Sequence, residues 1–430
     1  MKIAFLVMPA QGHVNPTLAV AGELVARGHE VVYYLTDEFA PAVRRIGVSF
    51  RPISAGFDIV NTVEKRGEAL FDGGPDRMSK VLPMLFTAMA RQLEETPGLI
   101  AELRAEKPDA IVYDPMCPWG QIAPKALGVP GIAFSTSYVG VRGSRFEREM
   151  RARMPSPRSV AMLKAIARFE ATALWLAVRH RLPLVGIGDV FGVVERLTIV
   201  PLPRHFHPEP ERFDARYVFA GPFIAPRGGA DDFPFADLDG HRVLFISLGT
   251  TPMSDLPAFY DACFEAFDDS RFQVVMASGL GNIDPARIPA NFIVRPRVPQ
   301  LEVLARTSVF ITHGGMNSTM EALWNGVPLV VVPQMGDQFF TASRVAELGL
   351  GRSLDGVPLT AATLREAVDA VDSDPSYRAR AIEYQADVQS AGGQGRAAAA
   401  IEQFVLAMRG AKRWEAKPAA PAPTDAGPAA

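Results

Sequence analysis

The chain has 430 residues, 48% hydrophobic and 21% charged, with 44 Lys and Arg against 47 Asp and Glu. This is ordinary globular composition, long enough for two or three domains with their own cores, and its net charge of −3 excludes the concentrated basic surface of a nucleic-acid binder. Two cysteines, Cys117 and Cys263, exclude a disulfide framework and point to a reducing compartment. The apolar run Ile3 to Met8 stops at Pro9, unlike a secretory signal. No stretch approaches the roughly 18 apolar residues that span a bilayer. The expectation is a soluble cytoplasmic protein, monomer or dimer, without a membrane span.

Ile3 to Met8 reads as a buried strand. Pro16 to Arg27 reads as a helix, with Pro at its start and Gly28 after its end. Glu30 to Thr36 is the next strand. A helix from about Asp37 to Ile46 leads into a strand at Val48 to Ile53. A strand at Asp109 to Tyr113, a helix at Trp119 to Leu127 and a strand at Gly131 to Ser135 follow. The stretch from about Arg142 to Leu182 reads as longer and helical. Its apolar residues Met154, Met162, Phe169, Leu174 and Trp175 suit packing on the sheet or an apolar acceptor cleft.

Residues 222 to 240 are rich in Pro, Gly and acids and read as a linker. The rhythm then restarts with a strand at Arg242 to Ser247, a helix at Leu256 to Phe267 and a strand at Phe272 to Met276. Phe292 to Arg295, a helix near Leu301, and the strand Val309 to Thr312 come next. A helix over Met316 to Trp324, a strand over Pro328 to Val332 and a helix over Gln338 to Leu348 complete it. Alternating strands and helices predict two α/β domains with parallel sheets and a cleft between them. Ligands in such folds bind beyond the carboxyl ends of the strands. The tail from about Lys412 is Ala- and Pro-rich and is expected to be disordered.

Four turns carry candidate chemistry. Thr312-His313-Gly314-Gly315-Met316-Asn317-Ser318-Thr319 follows a strand and opens a helix. Its glycines would let a ligand approach the backbone, and the helix N-terminus would face an anion. Together with the Asn317, Ser318 and His313 side chains this would hold a diphosphate without a metal. A plain Gly-rich turn capped by Asn or Ser explains the same residues. Ser247-Leu248-Gly249-Thr250-Thr251 is a weaker turn of similar kind. In Pro333-Gln334-Met335-Gly336-Asp337-Gln338, a carboxylate beside an amide suits adjacent sugar hydroxyls; Asp337 capping the next helix is the alternative. Gln11-Gly12-His13-Val14-Asn15-Pro16 sets a histidine between strand one and helix one. Such a histidine suits a proton acceptor needing an orienting carboxylate, for which Asp114 is the best candidate. A loop histidine bonded to backbone is the bland alternative. No Gly-x-Gly-x-x-Gly follows strand one, which disfavours a nicotinamide cofactor. Asp372-Ser373-Asp374, formally a metal-binding Asp-x-Asp, precedes Pro375 and reads as a turn and cap.

Taken together the chain resembles family 1 glycosyltransferases of the GT-B fold, nearest to the bacterial macrolide and flavonoid group. The likeness runs from about residue 1 to 409. It is most specific in Val298-Pro299-Gln300, His313-Gly314-Gly315-x-Asn317-Ser318-x-x-Glu321, Gly326-Val327-Pro328 and Asp337-Gln338. The resemblance implies two Rossmann-like domains, 1–221 for the acceptor and 241–395 for the nucleotide sugar. A helix over 396–411 would pack back on the first domain. It implies His13 as the base, with Asp114 stabilising its imidazolium. His313, Gly314, Gly315, Asn317 and Ser318 would hold the diphosphate, helped by Ser247, Gly249 and Thr250. Glu321 would bind the ribose, Gln300 and the Val298 backbone the base, and Asp337 and Gln338 the donor sugar. Arg297 stands where plant members place a Trp that stacks on uracil, and a guanidinium plane can also stack. The implied co-substrate is a UDP-sugar, with a TDP-sugar as the alternative, and no tightly bound cofactor or metal is expected. The implied acceptor is a hydrophobic macrolide, flavonoid or other polyketide or phenolic. The rival readings are an epimerase-like sugar-nucleotide enzyme and a non-catalytic partner of a glycosyltransferase.

Overall fold

The computed structural model describes residues 1–57, 77–153, 159–191, 195–225, 232–249, 256–279 and 283–415. Thirteen strands form two sheets among them. The first has seven parallel strands: β1 (Lys2–Leu6), β2 (Glu30–Leu35), β3 (Ser49–Pro52), β4 (Ala110–Tyr113), β5 (Gly131–Phe134), β6 (Thr198–Val200) and β7 (Tyr217–Phe219). Their spatial order is β3-β2-β1-β4-β5-β6-β7. The second has six: β8 (Arg242–Ser247), β9 (Phe272–Ala277), β10 (Phe292–Arg295), β11 (Thr307–Thr312), β12 (Leu329–Val331) and β13 (Gly351–Ser353), ordered β10-β9-β8-β11-β12-β13. Every pairing is parallel. Strands such as β1 and β8 are apolar on both faces because helices cover both sides.

Both sheets wind the same way. Strand order runs outward in one direction from the first strand, then jumps to its other side. The switch points lie between β1 and β4 and between β8 and β11, where a crevice opens at the carboxyl ends.

Several elements differ from the sequence expectation. The first helix spans Gln11–Ala26 and so begins five residues before Pro16. A long helix, Arg77–Glu106, covers a stretch to which the sequence assigned no element, with Pro83 and Pro97 inside it. The helical stretch after Arg142 is two helices, Arg145–Arg153 and Val160–Arg179. Met162 and Phe169 are buried, whereas Leu174 and Trp175 are exposed; Met154 lies outside the described residues. The last helix spans Gly393–Glu415, longer at both ends than 396–411, so 412–415 are helical and not disordered; 416–430 lie outside the described residues. Its apolar face, Ala397, Ala398, Ile401 and Val405, shares a core with Val20 and Leu24 of the first helix. Arg27 and His29 both bond Glu402. Among the described residues no helix is long and apolar enough to cross a membrane.

The two halves meet over an aromatic cluster. Tyr138 and Phe146 pack edge-on against Phe340 with ring centroids 4.8 and 5.1 Å apart. Arg344 donates to the carbonyls of Phe206 and His205 at 3.0 Å each. This wall fixes the two sets of strand ends relative to each other.

Candidate active site

His13 is a residue of the first helical turn and not of a loop. Ala10 is the extended residue before the helix, and its carbonyl accepts from the His13 and Val14 N–H groups at 2.9 Å. The following turn is pinned by Thr17, whose hydroxyl donates to the Val14 carbonyl at 2.7 Å. Asp114 is the residue just after β4. Both groups therefore sit at the β1/β4 switch point. His13 Nδ1 lies 2.5 Å from Asp114 Oδ2. Because a carboxylate accepts, Nδ1 carries the proton and Nε2 is the basic nitrogen of the neutral ring. A quarter of the His13 side chain stays exposed while Asp114 is 1% exposed. The Met116 N–H holds the other carboxylate oxygen at 2.8 Å. Burial works against charging His13, but the charge and hydrogen bond of Asp114 outweigh it, with Asp337 adding to them. The imidazole is raised above its ordinary value.

The second switch point is built differently. His313 follows β11, Ser247 ends β8, and the helix Met316–Trp324 starts beside them. The sequence assigned the glycines here to ligand approach. The structure gives two of them another reason. A Cβ on Gly249 would lie 2.6 Å from His313 Cε1, and one on Gly315 would lie 2.3 Å from His313 Nε2. The imidazole is thus clasped between two bare backbones. Gly314, between them, has φ +81°. His313 is 8% exposed and its Nδ1 has no hydrogen-bond partner. Burial pushes its pKa down to about 4, against a small opposing contribution from the Ser247 backbone. Gly315, the residue before the helix, offers its first N–H groups no side-chain cap.

Gln300, Ser318 and Glu321 form one polar group. Gln300 Nε2 donates to Glu321 Oε2 at 2.8 Å and approaches Ser318 Oγ at 3.3 Å. Glu321 is 2% exposed. Val298 is half-buried and Arg297 is exposed; Thr250 lies outside the described residues. Asn317 reaches the other domain: its Nδ2 donates to the Gly12 carbonyl at 2.9 Å. Asp337 does not cap the helix Gln338–Glu347. Its carboxylate accepts instead from the Ser137 hydroxyl across the cleft, and burial raises its pKa. Gln338 is buried, and its Oε1 accepts from the Gln334 and Met335 N–H groups at 2.8 and 3.1 Å. Its carbonyl therefore shapes the loop and its NH2 is the part left for a ligand. Asp374 caps the helix Pro375–Ser390 through the Ser376 N–H, and Asp372 binds Arg271 at 2.8 Å.

Residues 273–403 match the family model described as Erythromycin biosynthesis protein CIII-like, C-terminal domain. The chain is 39% identical over 410 residues to the NDP-glycosyltransferase YjiC of Bacillus subtilis strain 168, covering 94% of this chain and 97% of that protein. It is 33% identical to the demethyllactenocin mycarosyltransferase of Streptomyces fradiae, over 93% of this chain and 86% of that one. The crystal structure of CalG4, the calicheamicin glycosyltransferase, superposes with a TM-score of 0.73 at 28% identity, over 95% of this chain and 98% of its own. The chain is a bacterial family 1 glycosyltransferase. It has the GT-B fold of that family.

Sequence reasoning missed two hydroxyls of this glycosyltransferase. Thr136 Oγ1 lies 3.3 Å from His13 Nδ1, and Ser137 holds Asp337. Both follow β5, the neighbour of β4. A Ser-Thr-Ser run at the carboxyl end of a strand beside the switch point was the available signal. The glycosyltransferase thus presents a carboxylate-paired histidine on one side. On the other it presents a neutral histidine, a helix N-terminus without a side-chain cap and a polar triad.

Proposed function

We propose that the enzyme is an inverting transferase that moves a hexose, glucose above all, from a UDP-sugar to a hydroxyl of a hydrophobic small molecule. The acceptor is a macrolide, flavonoid or related polyketide or phenolic. The observation that supports this reading is the His13–Asp114 pair, placed where the two switch points face each other and with Nε2 unprotonated in the neutral form. His13 Nε2 takes the acceptor proton as the oxygen attacks the anomeric carbon. Asp114 stabilises the imidazolium that forms. The C1–O bond to the diphosphate breaks as the new bond forms, so an α-linked donor gives a β-glycoside. Negative charge gathers on the leaving diphosphate, toward which the N-terminus of the helix Met316–Trp324, Ser318 and His313 are directed. Gln300 and Glu321 take the nucleoside, and Arg297 stacks on its base. Asp337 and the Gln338 amide take the sugar hydroxyls. The demethyllactenocin mycarosyltransferase and the calicheamicin glycosyltransferase are each named for a small molecule, which favours a small-molecule acceptor.

The test is His13→Ala. Transfer should fall by about 10³-fold or more, while calorimetry shows UDP affinity within about twofold. NMR of the wild-type product should show a β linkage. Full activity in the variant, or an α-linked product, overturns the mechanism. An epimerase-like enzyme would convert or hydrolyse the donor without acceptor, which the same assay detects.

A further inference from the structure

Pro16 is the sixth residue of the first helix, where an N–H would normally bond the carbonyl of residue 12. Proline has none, so the Gly12 carbonyl lacks its usual helical donor four residues on. That carbonyl accepts instead from Asn317 Nδ2 at 2.9 Å, across the cleft. We infer that Asn317, through the Gly12 carbonyl that Pro16 leaves open, positions the His13 turn against the donor site. Pro16 and Gly12 are then positioning residues for transfer.

The amide chemistry allows both tasks at once. An Asn side chain has two N–H donors and an acceptor oxygen. One N–H serves Gly12, which leaves the other and Oδ1 for a diphosphate oxygen or its hydration. Gly12 is bonded directly to His13, so a bond to its carbonyl acts on the backbone that carries the imidazole. The other restraints on His13, from Asp114 and Thr136, lie within its own domain and do not fix it relative to the donor. Asn317 is the second residue of the helix whose N-terminus faces the proposed diphosphate site. A diphosphate that immobilises Asn317 therefore also holds the His13 turn in register. This rests on the reading of His13 as base and of Asn317 as a donor-site residue.

The test is a cycle of Pro16→Ala, Asn317→Ala and the double variant in the full-length enzyme. Pro16→Ala returns an N–H that competes for the Gly12 carbonyl inside the helix. It should lower kcat about tenfold at saturating substrates, a modest misalignment loss. UDP affinity, donor KM and the acid limb of the pH profile should stay within about twofold. The melting temperature should not fall, because alanine removes the clash of the proline ring within the helix. In the Asn317→Ala background Pro16→Ala should have little further effect, since no amide remains to be released. If Pro16→Ala does not fold, Pro16→Val carries the same N–H with more side-chain volume. Wild-type kcat in Pro16→Ala, or an equal loss in both backgrounds, overturns the inference and leaves Pro16 a packing residue. A His13→Ala enzyme that still transfers sugar would overturn the base assignment instead, leaving the cycle to be read on its own.

Discussion

The two switch points present one histidine each, and the sheets beneath them share a winding order. Yet the two imidazoles are driven in opposite directions. His13 has a buried carboxylate at 2.5 Å and is pushed up. His313 is more deeply buried, has no carboxylate, and is pushed down to about 4. Desolvation alone disfavours the cation in both. Neighbouring aspartates, Asp114 first and Asp337 after it, reverse the outcome at His13. The same fold thus builds one imidazole whose cation is favoured and one whose cation is disfavoured, and the largest part of the difference is the residue after β4.

Asp114→Asn breaks this contrast most severely. An asparagine can orient the ring wrongly and cannot stabilise the imidazolium, so transfer should drop by about 10²–10⁴-fold. The direction of the pH effect follows from the raised value. On the proposed mechanism His13 must be neutral to take the acceptor proton, so the acid limb of kcat/KM in the wild type should lie above about 6.5. In Asp114→Asn the residual activity should have its acid limb lower. A limb that does not move would show that another group sets it.

Gly315→Ala probes the other side. Its Cβ would press on His313 Nε2 at 2.3 Å, and the ring must leave its clasp. UDP affinity should weaken about 10- to 100-fold, roughly 1.4–2.7 kcal/mol, read by calorimetry. The acid limb set at the first switch point should stay in place. Unchanged UDP affinity would show that His313 orientation is not part of the donor site.

Much of this was legible in the sequence. The apolar runs from Ile3 and from Val309 read as strands, and the turns after them held His13 and His313. What was hidden has physical causes. Proline prefers the first helical turn, so Pro16 pointed to a helix start; here the helix tolerates it because the Gly12 carbonyl is satisfied from the other domain. Pro83 and Pro97 broke the pattern of Arg77–Glu106 in the same way. Strands of three residues, such as β6 and β7, are too short to show a period. The glycines at 249 and 315 carry no sign that a histidine ring, and not only a ligand, needs their space. The Ser137–Asp337 bond joins residues 200 positions apart, beyond any local signal.

The smallest effect concerns stability and extends the contrast to a third histidine. His207 lies in the wall between the two halves, with Nδ1 2.7 Å from the Pro208 carbonyl and Nε2 2.9 Å from that of Val139. The carbonyls favour its cation, but burial wins and lowers it to about 4. His207 and His313 thus refuse a proton that the unfolded chain accepts near 6.5. Their contribution is complete above that pH and is lost as pH falls toward 4. His13 works the other way: its contribution is complete below 6.5 and is lost as pH rises through its raised folded value. In urea titrations from pH 6.5 to 4.5, stability should therefore fall, with each lowered histidine adding about 1 kcal/mol per pH unit. His207→Gln should reduce that slope by one histidine's share. An unchanged slope would mean that His207 is charged in the folded wall, bridging its two carbonyls as an imidazolium.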